Sequence, residues 1–138
     1  MPGAQGVLAA LHAHDYVLQS VLTGNTAANA RTKLAAFGLT PWLDLEVGAF
    51  GSDDHDRTRL VSVALRRARE RRGLTFRRRD VWVVGDTPHD LACAHAAGVR
   101  CALVATGHHS LEELGRLEPD TLLADLSLVE SVVALIAG

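Results

Sequence analysis

The stretch "VWVVGDTPHD", residues 81–90, decides how this chain folds. Val81, Trp82, Val83 and Val84 form an apolar run that breaks off at Gly85 and Asp86. A strand reads this way when helices cover both faces of its sheet. A helix start follows: Thr87 can cap, Pro88 suits the first turn, and a carboxylate at Asp90 favours the positive end of the helix. Capping accounts for Asp90 and Pro88 without any further role. It does not account for Asp86, because a carboxylate between a buried strand and a helix start is costly to desolvate unless a cation or hydrogen-bond donors meet it. A hard cation such as Mg2+ takes carboxylate oxygens and usually binds beside a substrate phosphate. Capping and a metal site both remain open on this stretch alone.

Outward from residue 81, strand and helix periods alternate. A short helix is predicted over residues 6–13 and a strand over "YVLQSVL", residues 16–22, ending in "TGN". Asn25 or Thr26 can cap a helix that Gly38 stops. "LDLEV", residues 43–47, has the alternation of a short strand. A helix over residues 56–72 places Leu60, Val61, Ala64, Leu65 and Ala68 on one face. "HDLACAHAAG" reads as a helix closed by Gly98, and "RCALVAT" as the next strand. Ser110 with Glu113 forms a capping box, and "TLLADL" leads to a last helix over residues 127–136. Such alternation means an α/β fold, a mainly parallel sheet between two helical layers in the Rossmann-like manner. The 138 residues make a single domain, 1–138, without repeats.

Composition narrows the setting. With 48% apolar residues, 22% charged residues and a net charge of −2, the chain reads as an ordinary globular protein. No apolar run nears the ~20 residues of a membrane helix, and no basic-then-apolar leader is visible, so a cytoplasmic protein without a membrane partner is expected. Cys93 and Cys101 lie among apolar residues and are expected to be buried, reduced thiols. Thirteen of the 14 basic residues are arginine, eight of them within residues 66–79. One aromatic in that stretch and an acidic whole favour a solvated helix face and loop over a nucleic-acid site.

In a parallel α/β sheet, ligands bind beyond the carboxyl ends of the strands. The candidates there are Thr23, Gly24 and Asn25 for an anion, since a hydroxyl and the N–H groups of a helix start suit phosphate oxygens. Arg57, at the start of the long helix, could neutralise that anion, with Arg59 as its alternative. Taken singly, each arginine is equally an exposed partner for Asp53, Asp54 and Asp56. His108 and His109 fall at a strand mouth, but the seven histidines show no ligand pattern.

Together, "VLTGN", an arginine at a helix start and "VVGDTPHDLACAHAAGV" resemble motifs II, III and IV of the haloacid dehalogenase (HAD) superfamily of phosphohydrolases. "PGAQGVLAAL" and "VATGHHSLEEL" fit the flanking parts, so the resemblance runs over nearly the whole chain. It implies that Thr23 binds the phosphoryl group with Gly24 and Asn25, and that Arg57 stabilises the nucleophile and phosphate. Asp86 would ligate Mg2+ with Asp90 in support. The substrate would be a small phosphorylated metabolite, and the reaction phosphoryl transfer to an aspartate followed by hydrolysis.

The family's nucleophile lies in a DxD motif after its first strand, and that motif is absent from this sequence. Asp15 precedes the strand to Thr23, Asp53 and Asp54 are adjacent, and Asp44 falls within a predicted strand. The cap domain is likewise absent. The resemblance therefore implies the C-terminal part of an HAD core, incomplete on its N-terminal side and inactive alone, or else a non-catalytic phosphate- or partner-binding remnant. A receiver- or flavodoxin-like domain fits poorly, since the only lysine, Lys33, lies in an early helix. The family's first strand separates the strands that end at Thr23 and Asp86, and without it two apolar edges are unpaired. Those strands could pair directly, or another chain could supply a strand, or the sequence belongs to a longer product. A homo-oligomer or a complementing chain is expected.

Overall fold

The computed structural model describes residues 3–137. Two parallel sheets are formed. In one, β1 (Leu22–Thr23) pairs with β2 (Ala49–Phe50); in the other, β4 (Arg100–Val104) lies between β3 (Trp82–Gly85) and β5 (Thr121–Leu123). Six helices accompany them among the described residues: α1 (Ala4–His12), α2 (Ala27–Ala36), α3 (Leu60–Arg72), α4 (Pro88–Ala97), α5 (Leu111–Gly115) and α6 (Val129–Ala137).

Side-chain alternation along β4 builds the layers. Cys101 and Leu103 point into a core made with Val61 of α3, Leu91 and Ala94 of α4 and Leu114 of α5. Val104 points the other way, into a second core with Val7 and Leu11 of α1 and Val132 of α6. Period-2 alternation of a strand covered on both faces produces this arrangement. The fold is the α/β/α sandwich expected, with its sheet divided in two. The apolar surfaces of Cys93 and Cys101 are buried and both thiols are free. Burial pushes both thiols up, Cys101 to about 12, so neither is a reactive nucleophile.

Two strand expectations are corrected. Of residues 16–22 only Leu22 enters a strand, which instead ends at Thr23. The preceding residues run beside their neighbour through isolated bonds, Asp44 N–H to Gln19 O (2.7 Å) and Ser20 Oγ to Asp44 O (2.6 Å). Residues 43–47 are not a strand; the strand is Ala49–Phe50. The Asp44 carboxylate accepts the Glu46 N–H (3.2 Å), and Val47 and Gly48 donate back to Asp44 and Leu45, so the segment turns. An Asx turn of this kind overrides the local alternation of Leu43, Leu45 and Val47. The long helix begins as a 3-10 turn, Arg57–Arg59, capped by Asp56, before α3 proper.

The arginine-rich stretch is less a solvated face than its composition suggests. Arg72 grips Asp44 and Glu46, and Arg71 donates to the Glu46 carbonyl. Arg67 donates to the Gly48 carbonyl (2.6 Å) and makes a two-pronged pair with Asp53, which also accepts the Phe50 N–H (2.8 Å). These contacts tie α3 to the segment that carries β2. The Arg67 hydrogen bonds hold the Asp53 carboxyl below its usual value. A lowered native pKa means stability present above the unfolded pKa and lost as pH falls through the native one. Arg67→Met is expected to cost about 1 kcal/mol at neutral pH. Urea unfolding from pH 7 downward should show the gap between variant and parent narrowing below about pH 4, as the Asp53 share is lost and the share from the Gly48 carbonyl stays; a gap independent of pH would contradict this.

Candidate active site

The strand-end loops converge through glycine. β1 runs into Thr23, Gly24 and Asn25, where the Thr23 Oγ1 accepts the Asn25 N–H (3.1 Å). An accepting hydroxyl keeps its own proton free for an incoming oxygen. Thr26, not Asn25, caps α2 by accepting the Asn29 N–H (3.3 Å), so Asn25 is left at the mouth. The loop after β2 crosses here: Gly51 N–H donates to Asn25 O (2.9 Å), and a Cβ on Gly51 would stand 1.9 Å from the Gly24 carbonyl oxygen. Only a residue without a side chain permits that crossing.

Arg57 lies over the same turn. A Cβ on Gly24 would sit 3.3 Å from its Nε and 3.6 Å from its Cζ. Its guanidinium makes no ion pair among the described residues, whereas Arg59 is drawn away to Asp54 and Asp56. Of the two arginines left open by the sequence, Arg57 is the one beside Gly24. Its carbonyl accepts from the Cys93 Sγ (3.1 Å), and the 3-10 turn packs on α4. The ends of β1 and β3 therefore open on one side of the molecule.

At the end of β3, capping and the second carboxylate separate. Thr87 and Asp90 form a full capping box: the Thr87 hydroxyl accepts the Asp90 N–H, and Asp90 Oδ2 accepts from Asp86 N–H (3.1 Å), Thr87 N–H (3.1 Å) and Thr87 Oγ1 (2.9 Å). A Cβ on Gly85 would lie 2.2 Å from the Asp90 carboxylate, so Gly85 makes room for it. Asp90 thus holds the backbone of Asp86 in place. The Asp86 carboxylate has no hydrogen-bond or ion-pair partner among the described residues. It lies over Gly107, where a Cβ would stand 2.6 Å from its Oδ2. Beside Gly107, the Thr106 hydroxyl is buried with no partner. His109 leans on Glu113 of α5 (3.4 Å), and His108 is exposed.

Gly51 and Gly107 lie at strand ends where the sequence placed the site, but neither was given a role. Each is a glycine just beyond an apolar strand, which is the one signal that could have marked them.

Residues 59–129, just over half of the chain, match the HAD-hydrolase-like family. A relative from Dickeya dadantii (strain 3937), "Probable phosphatase IndB", is 31% identical over 129 residues, which is 93% of this chain and 53% of that protein. Two solved structures have similar folds. One, a "Putative Phosphatase from Clostridium difficile", superposes with a TM-score of 0.72 at 20% identity, over 98% of this chain and 59% of its own. The other is a "Conserved Haloacid Dehalogenase-like Protein of Unknown Function" from Agrobacterium tumefaciens str. C58. Its TM-score is 0.70 at 20% identity, over 100% of this chain and 61% of its own. The chain thus spans about half the length of its curated relative and about three fifths of the two structures. The fold, the order of its strand-end loops and the matched stretch agree: this chain belongs to the HAD-like hydrolase family.

Proposed function

We propose that this chain carries the phosphate- and metal-handling part of a Mg2+-dependent phosphoric-monoester phosphatase, a cytoplasmic enzyme of small phosphorylated metabolites. The nucleophilic aspartate would come from polypeptide outside it. The observations that support this reading are Arg57 lying over Gly24 and the partnerless Asp86 carboxylate at the end of β3, just before helix α4, which packs on the turn that carries Arg57.

The residues present fit a magnesium ion. Mg2+ binds through one or two carboxylates, keeps several waters and takes phosphate oxygens as further ligands. Asp86 offers a free carboxylate in a glycine cradle, and Asp90 supports it from below. When bound, the ion would supply charge neutralisation to the phosphoryl oxygens. The chain's own groups do the rest. The Thr23 hydroxyl and the N–H groups of Gly24 and its turn receive phosphate oxygens, and Arg57 balances their charge. Nothing here attacks phosphorus. Because a covalent nucleophile and its neighbours act as a unit, the isolated chain is expected not to turn over.

A second reading, a non-catalytic remnant that binds phosphate or a partner, is favoured by one observation. Among the described residues no group of three or more His, Cys, Asp or Glu side chains gathers to hold a metal.

Inorganic phosphate titrated into the chain with Mg2+ and followed by phosphorus NMR tests the anion site. Line broadening that Arg57→Ala weakens by about tenfold is expected, the worth of one charge-assisted hydrogen bond. Equal broadening in parent and variant would contradict the role given to Arg57.

A further inference from the structure

Arg57 is fixed at its backbone and free at its tip. Its guanidinium makes no hydrogen bond or ion pair among the described residues, although it lies over Gly24. Where that charge stands is therefore decided by the 3-10 turn, Arg57–Arg59, that carries it. Two bonds shape the turn from within. The Asp56 carboxylate accepts the Thr58 N–H (3.0 Å), and the Arg57 carbonyl accepts the Leu60 N–H. Neither sets the turn's position on the rest of the molecule. A third bond does: the Cys93 Sγ–H of α4 donates to the same Arg57 carbonyl (3.1 Å), from 36 positions along the chain. Cys93 is only 6% exposed, so little water competes for that bond. Burial also pushes the thiol up, so it keeps the proton that it donates.

Helix α4 thus reaches both halves of the site. Asp90 accepts the N–H groups of Asp86 and Thr87 and so sets the backbone of Asp86. Cys93 lies three residues further along, a spacing that places neighbours on one helical face, and it holds the backbone of Arg57. We propose that Cys93 is a positioning residue, whose thiol hydrogen bond keeps Arg57 in register with Asp86 so that cation and metal ligand meet one phosphate. The inference rests on the anion-binding role given to Arg57, and it concerns the hold on that residue rather than its charge. No thiol chemistry is involved. Serine can make the same bond through its hydroxyl, whereas alanine cannot. The two are nearly equal in size, so comparing them separates the donor from the volume lost with the sulfur.

Inorganic phosphate binding with Mg2+, followed by phosphorus NMR on the full chain, tests it. The variants are Cys93→Ser, Cys93→Ala, Arg57→Ala and the double variant Arg57→Ala with Cys93→Ala. Cys93→Ala should weaken binding about threefold, as fits the loss of one weak hydrogen bond, and Cys93→Ser should bind like the parent. In the Arg57→Ala background the loss of the thiol should cost nothing further, because it acts only through that guanidinium. Equal binding by Cys93→Ala and Cys93→Ser would overturn the proposal, since packing alone would then explain any change. A Cys93→Ala effect that persists without the Arg57 side chain would overturn it too. Both results leave the anion site standing. A parent that binds no phosphate, or binds it equally well as Arg57→Ala, would remove the role given to Arg57 and this proposal with it.

Discussion

Replacing Leu103 by alanine is expected to cost about 2–5 kcal/mol, a large share of the whole stability of a domain this size. Leu103 is fully buried in β4, among the described residues the one strand with a partner on both sides. Its side chain enters the core built by α3, α4 and α5, where Val61, Leu91 and Leu114 are also buried. The cost has two parts, the lost transfer of the side chain from water and the cavity left among neighbours that relax only partly. Relaxation is limited here because β3 and β5 fix the strand on both edges. The measurement is urea unfolding followed by circular dichroism, with an unchanged slope and a lowered midpoint. A loss under about 1 kcal/mol would mean that this core is far looser than close packing allows.

The second large effect is expected from Gly51→Ala. The new methyl would meet the Gly24 carbonyl oxygen at 1.9 Å and its carbon at 2.7 Å. Both are backbone atoms, so no rotamer change relieves the clash, and one of the two loops must move. Overpacking of this kind costs about 1–3 kcal/mol or more. The functional consequence should exceed the loss of stability, because the loop that moves carries Thr23, Gly24 and Asn25. Phosphate broadening should vanish in Gly51→Ala at temperatures where the variant is still folded. Gly73→Ala serves as the comparison. That position has a positive φ of 66°, unlike Gly51, and nothing within 4 Å of a Cβ, so it should lose some stability while keeping the anion site.

Helix ends were the most legible part of the chain. Thr87, Pro88 and Asp90, or Ser110 and Glu113, satisfy backbone groups within a few residues, so their pattern is complete in the sequence. Gly98 closes α4 with a positive φ of 69° for the same local reason. β4 was legible because helices cover both of its faces, and β3 because its run is apolar even though Val84 is exposed. The first two strands were not. A strand is made by its neighbour, and β1 has one on a single side. Leu43, Leu45 and Val47 alternate like a strand, yet the Asp44 carboxylate and the arginines of α3 bend them into a turn.

The candidate site was legible by residue type but not by contact. The sequence left Asp86 and Asp90 both open to capping and to metal. Their separation depends on Asp90 reaching back to the N–H groups of Asp86 and Thr87, which leaves Asp86 alone without partners. Likewise Arg57 and Arg59 are equal as letters, and only the closeness of Arg57 to Gly24 tells them apart. The roles of Gly51 and Gly107 depend on the crossing of loops far apart in sequence, which no local pattern carries.

The most direct test is Mg2+-dependent hydrolysis of an aryl phosphate by the purified chain, with Asp86→Asn alongside. The expected result is no turnover above the variant, since the half-site binds but holds no nucleophile. Hydrolysis that requires Mg2+ and disappears in Asp86→Asn would contradict this. It would mean that a carboxylate of this chain attacks phosphorus after all, and that the site assembled from Thr23, Arg57 and Asp86 is complete.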